Sequence, residues 1–296
     1  MDVLYAKNSD SSSEDLATQY TKDLLNKFQL TNDQLLYLFD YTRDLGMIPL
    51  CTPWDERSLA TLYEAGLDAI KISSADMTNY SLIDAATKTG LPLICSTGMS
   101  IEQEVKTLIK KLDSKFTEYS LLHCNSTYPA PFSHINLNYI KTLKSMTKRP
   151  IGYSGHERDI FISVAATALG ARIIERHITF DQSMEGADHK ASLLPHEFTQ
   201  MVQGIKQVHM AMGSTNPRII TQAELINRNN LSKSIAAKGN LKKGTIINRE
   251  HLAFRSPGTG LPIKKLEEFL GTCLHREVAD GELFLYSDLN DKLNLP

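Results

Sequence analysis

Short apolar runs alternate with amphipathic stretches along most of the chain, the pattern of βαβ units built on a parallel sheet. The runs are MIPLCTP, DAIKISS, LPLICST, YSLLHCN, PIGYSGH and ARIIERHI. Between them lie DERSLATLYEAG, NYSLIDAATKTG, SIEQEVKTLIKKL and RDIFISVAATALG, whose apolar residues recur every three or four positions and predict crossover helices. Gly66, Gly90 and Gly170 end three of these stretches, where a left-handed cap is favoured. Upstream, EDLATQYTKDLLNKF reads as helix, and Thr31 and Gln34 then stand in capping-box spacing ahead of QLLYLFDYTRDLG. Downstream, LPHEFTQMVQGIKQVHMAMG reads as a closing helix that stops at Gly213.

The six runs end at Thr52, Ser74, Ser96, Ser126, Ser154 and His177, at nearly regular intervals. Each finishes in a hydroxyl or imidazole, which is where a (β/α)₈ barrel builds its active site. An open doubly wound sheet would collect polar groups near one switch point instead of ending every strand with them. The expected fold is therefore a barrel of the TIM type. After STNPRIITQAELINRNN the pattern changes to short β-like runs punctuated by KGN, KKG, PGTG and DGE, without a βα repeat. This predicts a barrel domain over 1–213, a linker over 214–230 and a small, mainly β domain over 231–296, suited to capping a site rather than building one.

Composition narrows the class. At 296 residues, with 42% hydrophobic and 22% charged residues and a formal net charge of -2, the chain has a sizeable core and no dense basic surface. Nucleic acid and anionic membranes are not expected partners, so an anionic substrate must be met by a local site. Cys51, Cys95, Cys124 and Cys273 form no C-x-x-C pair and read as small buried residues in a reducing compartment. No signal-peptide core and no stretch of about 18 apolar residues is found, which predicts a cytoplasmic protein.

Three constellations carry chemistry. Ser154 and His156 in GYSGH and His177 in ERHIT fall at the ends of adjacent strands, about 4.8 Å apart, so the two imidazoles can converge on one divalent metal. Two protein nitrogens leave open positions, which suits Lewis-acid chemistry by Mn²⁺, with Mg²⁺ or Co²⁺ as alternatives. Thr52, Lys71, Ser74, Ser96, Thr97 and Gly98 line three consecutive strand ends with hydroxyls, one cation and the amides of an S-T-G turn, an anion pocket. Lys71 lies inside an apolar strand and needs an anionic partner there. Asp76 and Asp188 are candidate acid/base carboxylates, although a loop Asp serves about as often as a helix cap. Tyr128 and Ser192 sit in loops over the mouth, where either can act on substrate or simply pack.

STGM, HCNSTYPAP, GYSGH, ERHIT, GADHKASL and FRSPGTGL, in this order along nearly the whole chain, resemble the sialic acid (N-acetylneuraminate) synthase family. The resemblance implies a metal-dependent barrel followed by an antifreeze-like (SAF, β-clip) domain. It also implies a domain-swapped homodimer that condenses phosphoenolpyruvate with an N-acylated mannosamine-type sugar and releases phosphate. By motif, His156 and His177 match the metal ligands, and Thr52, Lys71, Ser74, Ser96, Ser126 and Ser154 the phosphoenolpyruvate pocket. Asp76 matches a catalytic carboxylate, Tyr128 and Asp188 sugar contacts, and Arg255 an arginine that reaches the partner subunit's sugar. At Ser126 some members carry Asn.

Members of the family begin with a strand carrying an A-E-I-G-x-N-H-N-G-like run and a second strand with a lysine near the phosphate, and neither is in this sequence. The expectation is a barrel lacking its first two strands, with unprotected sheet edges, poorly stable and inactive as it stands. Legionaminate or pseudaminate synthesis, a non-catalytic sugar-binding remnant, and a Schiff-base aldolase using Lys71 are the alternative readings.

Overall fold

The computed structural model describes Asp23, residues 26–186 and residues 188–289, which fall into two compact units that divide between Gly213 and Ser214. The helix expected over 14–28 lies mostly outside the described residues. Helix α1 (Asn32–Asp44) starts at a reciprocal cap. Gln34 N–H donates to Thr31 Oγ1 at 3.3 Å and Thr31 N–H to Gln34 Oε1 at 2.9 Å. Helix α2 (Glu56–Glu64) is opened in the same way by Asp55, which accepts from Ser58 N–H at 2.6 Å.

The repeat then runs β1 (Ile70–Ile72), α3 (Tyr80–Lys88), β2 (Leu93–Ser96), α4 (Glu102–Ser114), β3 (Tyr119–Cys124), α5 (Phe132–Ile135), α6 (Tyr139–Met146), β4 (Ile151–Gly155), α7 (Phe161–Ala168), β5 (Ile174–Arg176) and α8 (Pro195–Met212). All five strands are parallel and lie side by side in chain order, a half-barrel sheet. Alternation sorts their side chains. Ile70, Ile72, Leu93, Cys95, Leu121, Ile151 and Tyr153 bury against Leu82, Val105, Leu108, Ile140 and Leu143 of the crossover helices. The residues between them, Lys71 and Ser154 among them, are left for the opposite face.

The first of the six expected strands does not form a ladder. Its segment meets the sheet only where Cys51 bridges Ile70 in parallel, with Lys71 N–H donating to Cys51 O at 3.2 Å. Met47, Ile48 and Leu50 beside it are exposed. One neighbour among the described residues is too little to extend the pairing. The last run also ends early as a strand, at Arg176, though Leu193 N–H still bonds His177 O at 2.9 Å.

In the second unit, β6 (Ser234–Ala237) pairs antiparallel with β7 (Leu252–Arg255), and single bridges add Pro262, Val278 and Leu283. With helix α10 (Leu266–Phe269), these segments enclose Ile235, Ile247, Leu261, Leu274 and the tilted rings of Phe269 and Phe284, 4.7 Å apart. Gly239 and Gly244 take positive φ at the KGN and KKG turns. The segment expected to be a plain linker carries helix α9 (Gln222–Leu231). Thr221 and Glu224 cap it reciprocally, a spacing present in the sequence. Two cysteines expected to be buried, Cys51 and Cys273, are only partly so, and all four are free thiols. No helix among the described residues is long and apolar enough to cross a membrane.

The second unit also buries an ion pair. Arg276 grips the fully buried Asp288 side chain through Nε–Oδ1 at 2.9 Å and Nη2–Oδ2 at 3.0 Å. Burial pushes the Asp288 pKa up, but the guanidinium and the Leu285 N–H outweigh it and hold the carboxyl below its usual range. The stabilisation is thus complete above the ordinary Asp value and is lost as pH falls through the depressed one. Arg276→Met leaves the buried carboxylate with the Leu285 N–H at 2.8 Å and the His275 ring at 3.8 Å but no guanidinium, and should cost roughly 3 kcal/mol at neutral pH. That deficit should shrink on acidification, because the stranded Asp288 then protonates at a higher pH than in the wild type. Thermal unfolding of both proteins across pH 3 to 7 checks the sign; a deficit constant over that range would contradict it.

Candidate active site

The C-terminal ends of the strands enclose a cleft of about 1080 Å³. Thr52, Lys71, Ser74, Asp76, Ser96, Ser126, Tyr128, Ser154, His156, His177 and Asp188 all line it. Arg255, the remaining candidate, stands exposed at the end of β7 in the second unit, opposite Ser234 in register.

One side of the cleft is a row of donors. Lys71 projects from the middle of β1, and its Nζ donates to Ser96 Oγ at 2.8 Å and to Ile72 O at 3.0 Å. Glu175 Oε2, at 3.6 Å, is the anionic partner that a lysine in an apolar strand requires. Gly98 N–H donates to Ser74 Oγ at 3.1 Å. The neighbouring ends of β1 and β3 crowd Gly98 so closely that a Cβ there would lie 2.2 Å from Ser126 Oγ and 2.7 Å from Ser74 Oγ. Glycine is required here for close approach. Thr97, grouped with this row in the sequence, instead turns its hydroxyl to Leu122 O at 3.0 Å and is buried.

The other side is aromatic. The His156 and His177 rings lie 5.2 Å apart, with Tyr128 4.1 Å from His156 and edge-on to His177 at 5.7 Å. His156 Nδ1–H donates to Asn125 O at 2.7 Å, which fixes the tautomer and leaves Nε2 as the unengaged nitrogen. Burial favours the neutral His156 ring, but Cys124 and the Asn125 carbonyl outweigh it and raise its pKa. His177 moves the opposite way: burial, with His156 adding to it, exceeds the pull of Asp188, whose Oδ2 is 3.8 Å from His177 Nδ1. Burial, with the charges of Cys124, Asp188 and Glu175, pushes the Tyr128 phenol up to about 12, so it remains a donor at neutral pH.

No group of three or more His, Cys, Asp or Glu side chains among the described residues is arranged to hold a metal ion. The residues fit an ion held by two imidazoles, one of them oriented by a backbone carbonyl, with the remaining positions supplied from elsewhere.

Asp76 is buried in a short turn, its oxygens accepting from Ser73 Oγ and Asn79 Nδ2, each at 3.0 Å. Each oxygen thus has one side-chain partner within that turn. Ser192 is buried and donates to Asp188 O at 2.8 Å, so it packs the loop instead of facing the mouth. Two groups were not anticipated from the sequence. Glu175 lines the cleft, and its signal was its place two residues before His177, on the same face of the strand. Beneath the cleft, Arg176 and Glu157 form an ion pair at 2.8 Å with neither side chain exposed, and Tyr153 Oη donates to Glu157 at 2.6 Å.

The chain is thus a parallel α/β half-barrel with a lysine, hydroxyls and an imidazole pair gathered at its strand ends, the rim where (β/α) barrels place their sites. Residues 2–217 match the NeuB family and residues 232–290 the SAF domain. The chain belongs to the NeuB family. It is 40% identical over 238 residues to the N,N'-diacetyllegionaminic acid synthase of Campylobacter jejuni, covering 79% of this chain and 71% of that one. It is 33% identical to the human N-acetylneuraminate-9-phosphate synthase, over 77% of this chain and 63% of that one. The solved N-acetylneuraminic acid synthetase of Leptospira borgpetersenii, in complex with citrate, superimposes with a TM-score of 0.68 at 32% identity, over 73% of this chain and 77% of that one.

Proposed function

We propose that this chain provides the cleft of a sialic acid synthase-type enzyme that condenses phosphoenolpyruvate with an N-acylated mannosamine-type sugar and releases phosphate. The observation that carries the reading is the row of Lys71, Ser74 and Ser96 in one cleft with two imidazoles 5.2 Å apart. The named relatives, synthases of sialic, legionaminic and pseudaminic acids, support the substrate classes.

Lys71 and the hydroxyls would hold the anionic oxygens by charge-assisted hydrogen bonds, aligning C3 of phosphoenolpyruvate with the sugar aldehyde carbon. As the C–C bond forms, the alkene electrons leave C2 cationic; water adds there and phosphate departs. His156 and His177 would hold a divalent ion, Mn²⁺ in this reading, which when bound polarises an aldehyde oxygen. Tyr128 and Asp188 would contact the sugar. Arg255 would act from the second unit on a partner subunit's sugar in a domain-swapped homodimer. Asp76, which lines the cleft with one side-chain hydrogen bond on each oxygen, would accept from water through its remaining lone pairs.

The test is calorimetric binding of phosphoenolpyruvate, together with phosphate release in the presence of Mn²⁺ and a panel of acylated amino sugars. The panel also separates the N-acetylneuraminate, legionaminate and pseudaminate readings. Phosphoenolpyruvate binding that requires Lys71 supports the reading, and a wild-type chain that does not bind it overturns it. Turnover that survives both His156→Ala and His177→Ala, or is insensitive to chelators, would favour Schiff-base chemistry at Lys71 instead. Normal turnover by the purified 296-residue chain would remove the expectation that it is inactive alone.

A further inference from the structure

Five carboxylates line the cleft: Asp55, Glu56, Asp76, Glu175 and Asp188. Three are already committed to the fold. Asp55 caps α2 through Ser58 N–H, Glu56 accepts from Ser81 Oγ at 2.6 Å, and Asp76 is held by Ser73 and Asn79. The other two flank His177. Asp188 faces its Nδ1 across 3.8 Å, and Glu175 precedes it by two residues on the same face of the chain. The strand register sets Glu175 beside Ser154, while Arg176 between them turns away to Glu157.

Glu175 is the anomalous one. Its Oε2 is shielded from water, yet no donor among the described residues reaches it within hydrogen-bond distance. Lys71 Nζ, at 3.6 Å, neutralises it from beyond hydrogen-bond distance, with two of its three N–H donors directed at Ser96 Oγ and Ile72 O. The Glu175 side chain as a whole is 44% exposed at the cleft, so a ligand that brings a donor can reach the open part of this incompletely paired carboxylate. The ligand end it meets cannot be anionic, because a phosphate or carboxylate there would face a like charge at close range. The cleft is therefore divided, with donors for an anion on the β1–β3 side and free acceptors for hydroxyl or amide hydrogens on the β5 side.

We propose that Glu175 binds the acylated amino sugar, its carboxylate accepting a hydroxyl or amide hydrogen beside His177, while Lys71, Ser74 and Ser96 hold the anion opposite. This rests on the functional reading above. It predicts that Glu175→Gln weakens binding of N-acetylmannosamine by roughly 10- to 100-fold, the scale of a lost hydrogen bond to a charged group. The same change should leave phosphoenolpyruvate binding intact or tighter, since it removes a negative charge near Lys71. A residue that only held Lys71 in place would give the reverse, with weakened phosphoenolpyruvate and unchanged sugar.

The experiment is calorimetric titration of wild type, Glu175→Gln and Glu175→Asp with each probe, and thermal unfolding to match their stabilities. Loss of sugar affinity in Glu175→Gln with partial recovery in Glu175→Asp supports the assignment. A wild type that binds both probes, with sugar affinity unchanged in Glu175→Gln or with phosphoenolpyruvate affinity lost instead, overturns the assignment and leaves the proposed function standing. A wild type that binds phosphoenolpyruvate but not the sugar also counts against the assignment. Wild-type binding of neither probe overturns the functional reading itself.

Discussion

Arg176→Met is expected to destabilise the first unit by roughly 3–5 kcal/mol, the cost of leaving a buried charge without its partner. The Glu157 carboxylate is fully buried, and once the guanidinium is gone only the Tyr153 hydroxyl remains on its side chain. Arg176 also donates to Asp159 O at 2.8 Å and Ser163 Oγ at 3.0 Å, so the change strips donors from three further groups in the loop after β4 and in the first turn of α7. Burial and the Glu157 charge push the Tyr153 phenol well above its usual pKa, so it stays neutral and gives Glu157 a hydrogen bond but no opposite charge. The double change Glu157→Leu with Arg176→Met should recover part of the loss, because it removes both charges from the interior. Urea unfolding of the single and double variants measures this. A double variant less stable than the sum of the two singles would show that the pair is not what the singles broke.

Gly98→Ala should reduce phosphoenolpyruvate affinity by roughly 10- to 100-fold, the scale of losing a hydrogen bond to a charged group when Ser74 and Ser126 are displaced. The added methyl would lie 2.2 Å from Ser126 Oγ, 2.7 Å from Ser74 Oγ and 3.1 Å from Cys124 Sγ. All three must move, and Ser74 also loses its aligned contact from the Gly98 amide. Calorimetry with phosphoenolpyruvate and a parallel melting curve separate lost affinity from lost stability. Unchanged affinity would mean that the S-T-G turn takes no part in holding the anion.

Most of the strand-end chemistry was legible in the sequence because it follows from period and topology. In a parallel sheet with one strand per βα unit, every strand finishes on the same rim, so Lys71, Ser96, Ser154 and His177 had to meet. Hydroxyls at similar places were harder to sort. Ser74 and Thr97 look alike in sequence, yet one receives the Gly98 amide in the cleft and the other is tied to Leu122 O. Which way a short side chain turns depends on the nearest unfilled partner, and neighbours in space are not neighbours in the chain. Asp76 shows the same limit: its turn engages both oxygens through residues three before and three after it.

What the sequence by itself determined is the alternation of strand and helix, the rim that carries the chemistry, the imidazole pair and the change of pattern near Gly213, since each rests on local periodicity and turn preference. Only the tertiary structure decided that Cys51 makes a single bridge, that Glu157 and Arg176 bury a charge pair behind the cleft, and that Glu175 keeps a shielded oxygen without a donor. Those outcomes depend on desolvation and on distances between residues far apart in the chain. A carboxylate becomes a cap, an ion-pair partner or a free acceptor according to which donors the fold places within about 3 Å, and no pattern along one segment records that.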